Sequence, residues 1–185
     1  MTRSVGSLLM VLCILAPEMA AKECPLEQVR KELEAQYARL ADANRRKDLA
    51  GILALRAPDC GSSNPEAGRF SCQQMADYSR RLIEEVVEVK RLSNAILDLE
   101  LDGNQARATV LQQFARTQRK AGQVRNIETM AVQRETWVRT REGWKLKLVD
   151  NIHGRRWYVD GKRVDPKKPY NPDDPPYNPA LDADE

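Results

Sequence analysis

The sequence has 185 residues, of which 42% are hydrophobic and 31% are charged. This length suits one ordinary domain with extensions at its ends, and these fractions are typical of a soluble globular protein. The net charge is +3, and the basic residues are scattered rather than clustered, which argues against nucleic acid as a partner.

The first 21 residues have the order of parts found in a secretory signal peptide. Met1–Ser4 carries one positive charge, Val5–Ala16 is an apolar run too short to cross a bilayer, and a cut after Ala21 releases the mature chain. An uncleaved N-terminal anchor is the alternative. We therefore expect an exported protein, periplasmic or extracellular, with no stable membrane span once the signal is removed.

The mature chain keeps three cysteines, Cys24, Cys60 and Cys72. Thiols tend to pair outside the cytoplasm, and Cys60 and Cys72 bracket a segment rich in Gly, Ser and Pro, CGSSNPEAGRFSC. We predict a Cys60–Cys72 disulfide, worth roughly 3 kcal/mol in the chain-entropy model, with Cys24 free or paired between molecules. The spacings match no zinc pattern, and the single histidine, His153, is remote in sequence, so we expect no metal and no cofactor.

Three helices are predicted in the first half of the chain. Apolar residues at steps of three and four mark a helix over Pro25–Arg46, and proline suits its first turn. Asp48 is suited to cap a short second helix that runs through Leu55. Ser71-Cys72-Gln73-Gln74 is a capping-box pattern that opens a third helix. Its apolar stripe comprises Met75, Tyr78, Leu82 and Val86.

After Lys90 the apolar period changes from helical to alternating, which predicts strands. Asp102-Gly103 is a hairpin turn, because glycine accepts the positive φ that a tight turn needs. The strand before this turn is predicted to place Ala95, Leu97, Leu99 and Leu101 on one face, and Asn94, Asp98 and Glu100 on the other.

Three more strands follow, over Ala106–Arg119, Ile127–Arg141 and Trp144–Ile152. The second strand has Ala108, Val110 and Phe114 on one side, and the fourth has Trp144, Leu146 and Leu148 on one side. The order predicts an α+β fold in which three N-terminal helices pack on one face of a curved antiparallel four-stranded meander, with no parallel crossover.

The C-terminal segment is rich in proline and acidic residues, and it contains the sequence PYNP twice, at Pro169–Pro172 and Pro176–Pro179. Such a segment favours extended, polyproline-like chain. We expect a disordered tail, and an arm lying on the domain or a peptide-recognition element is the alternative. The predicted organisation is a signal peptide over 1–21, one domain over 22–165 and a tail over 166–185.

This layout resembles the nuclear transport factor 2-like superfamily, which includes ketosteroid isomerases, scytalone dehydratase and SnoaL-like cyclases. Beyond element order, Leu101–Val110 (LDGNQARATV) is similar to a hairpin turn of the family, and Arg141–Ile152 (REGWKLKLVDNI) is similar to its final hairpin. The resemblance implies a cone-shaped domain, frequently dimeric through its outer sheet face, with a cavity between helices and sheet. It does not imply one activity, because this fold hosts enzymes and non-enzymes alike.

Family enzymes of the isomerase or dehydratase kind place an Asp, His or Tyr inside the cavity. The long central strands here carry no Asp or His, and only Glu135 is suited to act as a general base. It lies two residues from Trp137 and hence on the same face of its strand. We expect Glu135 to lie at the surface, paired with a cross-strand Arg or Lys.

Asp150 and His153, at the end of the last strand, form the other candidate acid/base pair. They are three residues apart, so a continuing strand would point them to opposite sides, and an exposed loop histidine is the expectation.

Five residues are suited either to line a pocket or to fill the core: Tyr37, Tyr78, Phe114, Met130 and Trp137. We therefore expect a non-catalytic domain that binds a small apolar ligand or associates through its sheet face, as a homodimer for example. A cavity isomerase or lyase using Glu135 or Asp150 is one alternative. An interaction module that docks partners through the Pro/Tyr tail is another.

Overall fold

The computed structural model of the protein describes residues 25–64, 68–120, 122–165, 167–168 and 170–177. The predicted signal peptide and Cys24 lie outside these residues. Among the described helices, none is both long enough and apolar enough to cross a membrane.

The helices begin where the sequence provides their caps. Helix α1 is Pro25–Arg45, α2 is Leu49–Ala54 and α3 is Cys72–Glu85. The side chain of Asp48 accepts a hydrogen bond from the backbone N–H of Gly51 and so caps α2. Ser71 and Gln74 form the predicted capping box at the start of α3, which satisfies two backbone donors that would otherwise lack partners.

The strands form one mixed sheet. They are β1 (Arg56–Asn64), β2 (Gly68–Ser71), β3 (Val86–Asp102), β4 (Gln105–Lys120), β5 (Gln123–Thr140), β6 (Gly143–Val159) and β7 (Lys162–Val164). Their order is β2-β1-β6-β5-β4-β3, and β7 also pairs with β6. The long strands β3 to β6 pair antiparallel in sequence order, and Gly103 has the positive φ of 58° that the β3–β4 turn requires.

The described residues form seven strands instead of the four that were predicted. The expectation of no parallel pairing was also wrong. Strand β1 pairs parallel with β6, and β2 folds back antiparallel on β1. The segment RAPDCGSSN has no apolar alternation to mark it as a strand. It is held in the sheet by pairing with β6, which is remote in sequence.

A disulfide joins Cys60 on β1 to Cys72, the first residue of α3, across a sequence separation of 12 residues. The predicted pairing is therefore confirmed. It fixes the start of α3 to strand β1, so the helix is held beside the concave face.

The dry core lies between α1 and the first half of β4. Leu33 on α1 and Ala106, Ala108 and Val110 on β4 are fully buried, with 0% of their surface exposed. The small alanine side chains leave room for the helix to lie close to the sheet. Tyr37, Trp137 and Trp144 complete this cluster with Val29 and Leu99.

Two predicted strand faces were wrong because the strands contain β-bulges. In β3 the pairing steps from Ile96–Val110 to Asp98–Thr109, so Leu97 is an extra residue. Leu97 is 56% exposed, while Leu99 is buried as predicted. An extra residue reverses which side chains point inward beyond it, and a period-two pattern does not reveal where this occurs.

The second bulge lies in β6. Pairing steps from Trp137–Leu146 to Thr136–Leu148, so Lys147 is the extra residue. Trp144 is buried as predicted, whereas Leu148 is 37% exposed. Beyond the bulge, Val149 rather than Leu148 points to the concave side of the sheet.

The described part of the C-terminal segment contacts the domain. The backbone N–H of Tyr177 donates to the carbonyl of Arg163 at 2.9 Å, and Lys162 Nζ donates to the carbonyl of Pro172 at 2.8 Å. The guanidinium of Arg125 lies 5.9 Å from the ring centre of Tyr170, the tyrosine of the first PYNP. These contacts correspond to the alternative of an arm lying on the domain.

Candidate functional site

A cavity of about 720 Å³ lies between the helices and the concave face of the sheet. Helix α3 forms one side, the C-terminal half of α1 adjoins it, and strands β1 to β6 supply the rest. The apolar part of the wall includes Leu40, Ile52, Met75, Leu82, Leu92 and Phe114. The cavity exists because α1 covers only the first half of β4, and α3 lies over the second half without filling the space beneath it.

Glu135 lies at the base of this cavity, where β5 passes under Tyr37 of α1. Its side chain is only 2% exposed. Carboxylate Oε2 accepts hydrogen bonds from the Tyr37 hydroxyl at 2.6 Å and from Trp137 Nε1 at 2.8 Å. Oε1 accepts one from Gln133 Nε2 at 2.7 Å. Because Oε1 takes a single donor here, it retains the capacity to accept another.

Burial raises the pKa of Glu135 above its ordinary value of 4.5, since a charged carboxylate loses its hydration in the interior. The three hydrogen bonds and the positive charge of Arg56 oppose this effect without cancelling it. Burial and the adjacent Glu135 charge raise the pKa of Tyr37, so its hydroxyl stays protonated and acts as a donor.

The expectation of a surface Glu135 with a cross-strand Arg or Lys was therefore wrong. The sequence placed it correctly on the same face as Trp137, but that face is the concave one. Its hydroxyl partner, Tyr37, is 98 residues away in sequence and comes from a helix. Strand alternation shows which residues share a face, and it does not show which face α1 covers.

The other candidate pair is not assembled. Asp150 accepts a hydrogen bond from the Ser63 hydroxyl on β1. His153 is exposed and lies within β6, opposite Val132, because β6 continues to Val159. The predicted loop position of His153 was thus wrong, although its exposure is as expected. In the described part of the chain, no cluster of three or more His, Cys, Asp or Glu side chains is arranged to hold a metal ion.

The five pocket candidates occupy different positions. Tyr37, Tyr78, Phe114 and Met130 lie on the cavity wall. Tyr78 is at the mouth, with 57% of its surface exposed, and is less buried than its place in an apolar stripe suggests. Trp137 lies beneath the cavity in the core, edge-on to Tyr37 with ring centres 5.5 Å apart.

The sequence patterns did not predict the cationic side chains of the cavity, among which Arg56 and Arg116 are strongly buried. Arg116 is 3% exposed and lies on β4, and its guanidinium is 4.5 Å from the ring centre of Phe114. A signal was present, since Gln112 and Arg116 alternate with Phe114 on the face that carries Ala108 and Val110. Polar residues on an apolar face of a strand indicate that the face leaves the core.

The fold matches solved structures over most of the length of each chain named below. A conserved protein from Planctomyces limnophilus superposes with a TM-score of 0.58 at 16% identity, covering 70% of this chain and 98% of that one. A nuclear transport factor 2-like superfamily protein from Salmonella enterica gives 0.54 at 17% identity, with coverages of 68% and 91%. A hexachlorocyclohexane dehydrochlorinase, LinA type 2, gives 0.57 at 11% identity, with coverages of 80% and 96%.

These likenesses establish the fold. No family model matches the sequence, and no curated protein matches it. Proteins of this shape include enzymes such as the dehydrochlorinase, so the activity of the present chain must be argued from its own cavity.

Proposed function

We propose that this protein, whose fold is nuclear transport factor 2-like, is an exported binding protein that holds one small, largely apolar ligand in its cavity. The observation that carries the proposal is the cavity itself. Its volume of about 720 Å³ falls within the range of roughly 300–1,000 Å³ that is usual for small-molecule sites. Its wall combines aliphatic and aromatic side chains with a few polar groups at the base, which is the usual composition of such sites.

Export is supported by the Cys60–Cys72 disulfide, because such bonds persist in oxidising compartments. A ligand-binding role outside the cytoplasm also accounts for a disulfide next to the cavity, at the start of α3. The disulfide holds the start of α3 at strand β1, so the cavity is kept open before any ligand arrives.

The binding test uses N-phenyl-1-naphthylamine, a neutral aromatic probe whose fluorescence rises in apolar surroundings. We expect saturable binding to the full chain, and Phe114→Ala should weaken it because Phe114 lies on the cavity wall. Leu97→Ala is the matched control, since Leu97 is exposed on β3 and does not line the cavity. Absence of saturable binding, or equal weakening by both substitutions, would contradict the proposal.

A cavity enzyme of the isomerase or lyase kind is the second candidate, and the position of Glu135 favours it. A buried carboxyl with a raised pKa, facing a cavity, is suited to exchange a proton with a substrate. Tyr37 and Gln133 hold the carboxyl in place, and Oε1 is the oxygen with room for a substrate.

The catalytic test screens apolar ketones and hydroxylated ring compounds for turnover. For any activity found, Glu135→Gln should lower the rate by about 10²–10⁴-fold while the variant remains folded and still binds the probe. Turnover that survives this substitution would exclude Glu135 as the acid or base. Asp150→Asn serves as the comparison, because Asp150 bonds to Ser63 and does not line the cavity.

A further inference from the structure

The cavity carries more positive than negative charge. Five arginines line it, Arg56, Arg81, Arg116, Arg155 and Arg156, against two carboxyl groups, Asp77 and Glu135. Asp77 is already paired with Arg80 at 2.9 Å, and Glu135 interacts electrostatically with Arg56. Both negative charges of the wall are thus balanced by neighbours, and the positive charge of Arg116 is not balanced by either.

Arg116 is the most buried of these cations, with 3% of its surface exposed. Its Nε donates to Gln118 Oε1 at 2.8 Å, and Gln118 Nε2 donates to Glu85 Oε2 at 2.5 Å. Glu85 is therefore linked to Arg116 through the amide of Gln118, and its negative charge favours the charged guanidinium without a direct hydrogen bond among those described. Nη1 of Arg116 is buried and has no hydrogen-bond partner among the described residues.

A buried guanidinium donor without a partner is costly. Leaving a buried polar group unsatisfied typically costs about 1–3 kcal/mol, and more when the group is charged. The protein gains little from this arrangement in packing alone, because an apolar side chain of similar length would stack on Phe114 without the penalty. A ligand that supplies an acceptor to Nη1 would remove this penalty.

We propose that Arg116 binds the acidic group of an organic anion, a carboxylate or sulfonate, whose apolar body lies against Phe114 and the aliphatic wall. This inference rests on the proposed ligand-binding function and specifies the chemical class of the ligand. A buried cation whose Nη1 has no hydrogen-bond partner among the described residues is suited to bind a singly charged acid. The flat guanidinium, fixed by Phe114 on one face and by Gln118 at Nε, presents its remaining donors in a geometry that suits a carboxylate or sulfonate.

The test compares two probes that share one ring system. 8-Anilino-1-naphthalenesulfonate carries a sulfonate, and N-phenyl-1-naphthylamine is the same molecule without it. We expect the full chain to bind the sulfonate at least about 10-fold more tightly, since a charge-assisted hydrogen bond discriminates by this order. Arg116→Met should remove the preference while leaving the affinity for the neutral probe within about twofold.

Two further variants control for charge and folding. Arg107→Met removes one positive charge from the same strand at an exposed position, 49% accessible and paired with Asp102, and should keep the preference for the sulfonate. Arg116→Lys retains the charge without the planar fork and should keep part of the preference. Each variant is compared with the parent by melting temperature, so that loss of structure is not mistaken for loss of binding.

The outcomes separate this inference from the function on which it rests. Binding of both probes with equal affinity, or equal weakening of both by Arg116→Met, overturns the anion site and leaves the binding function standing. Failure of both probes to bind the parent chain overturns the binding function and this inference with it. A sulfonate preference that Arg107→Met also removes shows only a general effect of charge and overturns the role of Arg116.

Discussion

The two halves of strand β4 face different surroundings although they lie on one continuous strand. In the first half, Ala106, Ala108 and Val110 are fully buried under α1. In the second half, the inward positions carry Gln112, Phe114, Arg116 and Gln118, and the first three of these line the cavity. A helix packs directly on the first half, and an open space remains over the second.

One strand thus contributes both to the packed core and to the wall of the cavity. Small apolar residues allow close helix packing, and the resulting burial supplies stability. Polar inward residues cannot be packed dry without a large penalty, so they retain a space that water or a ligand can occupy. Substitutions in the first half should therefore affect stability, and those in the second half should affect binding.

The largest expected contrast is between two aromatic residues. Trp144→Ala should cost roughly 3–5 kcal/mol of unfolding free energy, because the ring is 3% exposed in the α1 core. Tyr78→Ala should cost less than about 0.5 kcal/mol, because Tyr78 is 57% exposed at the cavity mouth. Urea unfolding measures both losses of unfolding free energy. Equal losses would contradict the distinction between the packed core under α1 and the cavity beside α3.

The disulfide lies on the cavity side of the molecule, at the start of α3. Its loss should have the next largest effect on the free energy of unfolding. Replacing Cys60 and Cys72 with serine should cost roughly 3 kcal/mol in the chain-entropy model, since the closed segment separates the two cysteines by 12 residues. The same double variant should also weaken probe binding, because α3 is no longer fixed beside the sheet. Cys24→Ser is the control and should change neither quantity.

Peptide mapping without reduction checks the pairing directly. It should recover a Cys60–Cys72 crosslinked peptide from protein produced in an oxidising compartment. Recovery of Cys24 linked to either residue would show that a different disulfide forms.

The smallest expected effect is a pH dependence that arises at the boundary between the two halves, where Glu135 lies. Its folded-state pKa is raised above the ordinary 4.5, so the folded state binds the proton more tightly than the unfolded state. This contribution to stability is fully present below the unfolded pKa and is lost as the pH rises through the raised pKa. The unfolding free energy of the parent minus that of Glu135→Gln should therefore fall as the pH increases.

Unfolding titrations at a series of pH values from about 4 upward measure this difference. Glu142→Gln is the control, because the Glu142 side chain is 80% accessible and should leave the parent profile unchanged. A difference that rises with pH would mean that hydrogen bonds from Tyr37, Trp137 and Gln133 outweigh burial in setting the protonation of Glu135.

Local features of this protein follow from the sequence by local rules. The stripe of α1, the caps at Asp48 and Ser71, the turn at Gly103 and the Cys60–Cys72 pairing depend on residues within a few turns or one short segment. The α+β class followed from the change of apolar period. These features are governed by backbone preference and by short-range hydrogen bonds, and both can be recognised in a single sequence.

The geometry of the candidate site depends on contacts between residues that are distant in the sequence. The concave position of Glu135 requires Tyr37 from α1, and the inward direction of Val149 requires the bulge at Lys147. The parallel pairing joins β1 to β6, which begins at Gly143 and is therefore remote in sequence. No residue pattern in the β1 segment RAPDCGSSN predicts this pairing.

By itself, the sequence determined which residues form helices, which share a strand face between bulges and which cysteines pair, because these choices are made by neighbours along the chain. Only the tertiary structure decided which strand face is covered, which polar residues are buried and where a cavity remains. The physical reason is that burial depends on the element packed above a side chain. For Glu135 and Arg116, those elements are α1 and α3, which come from distant parts of the chain.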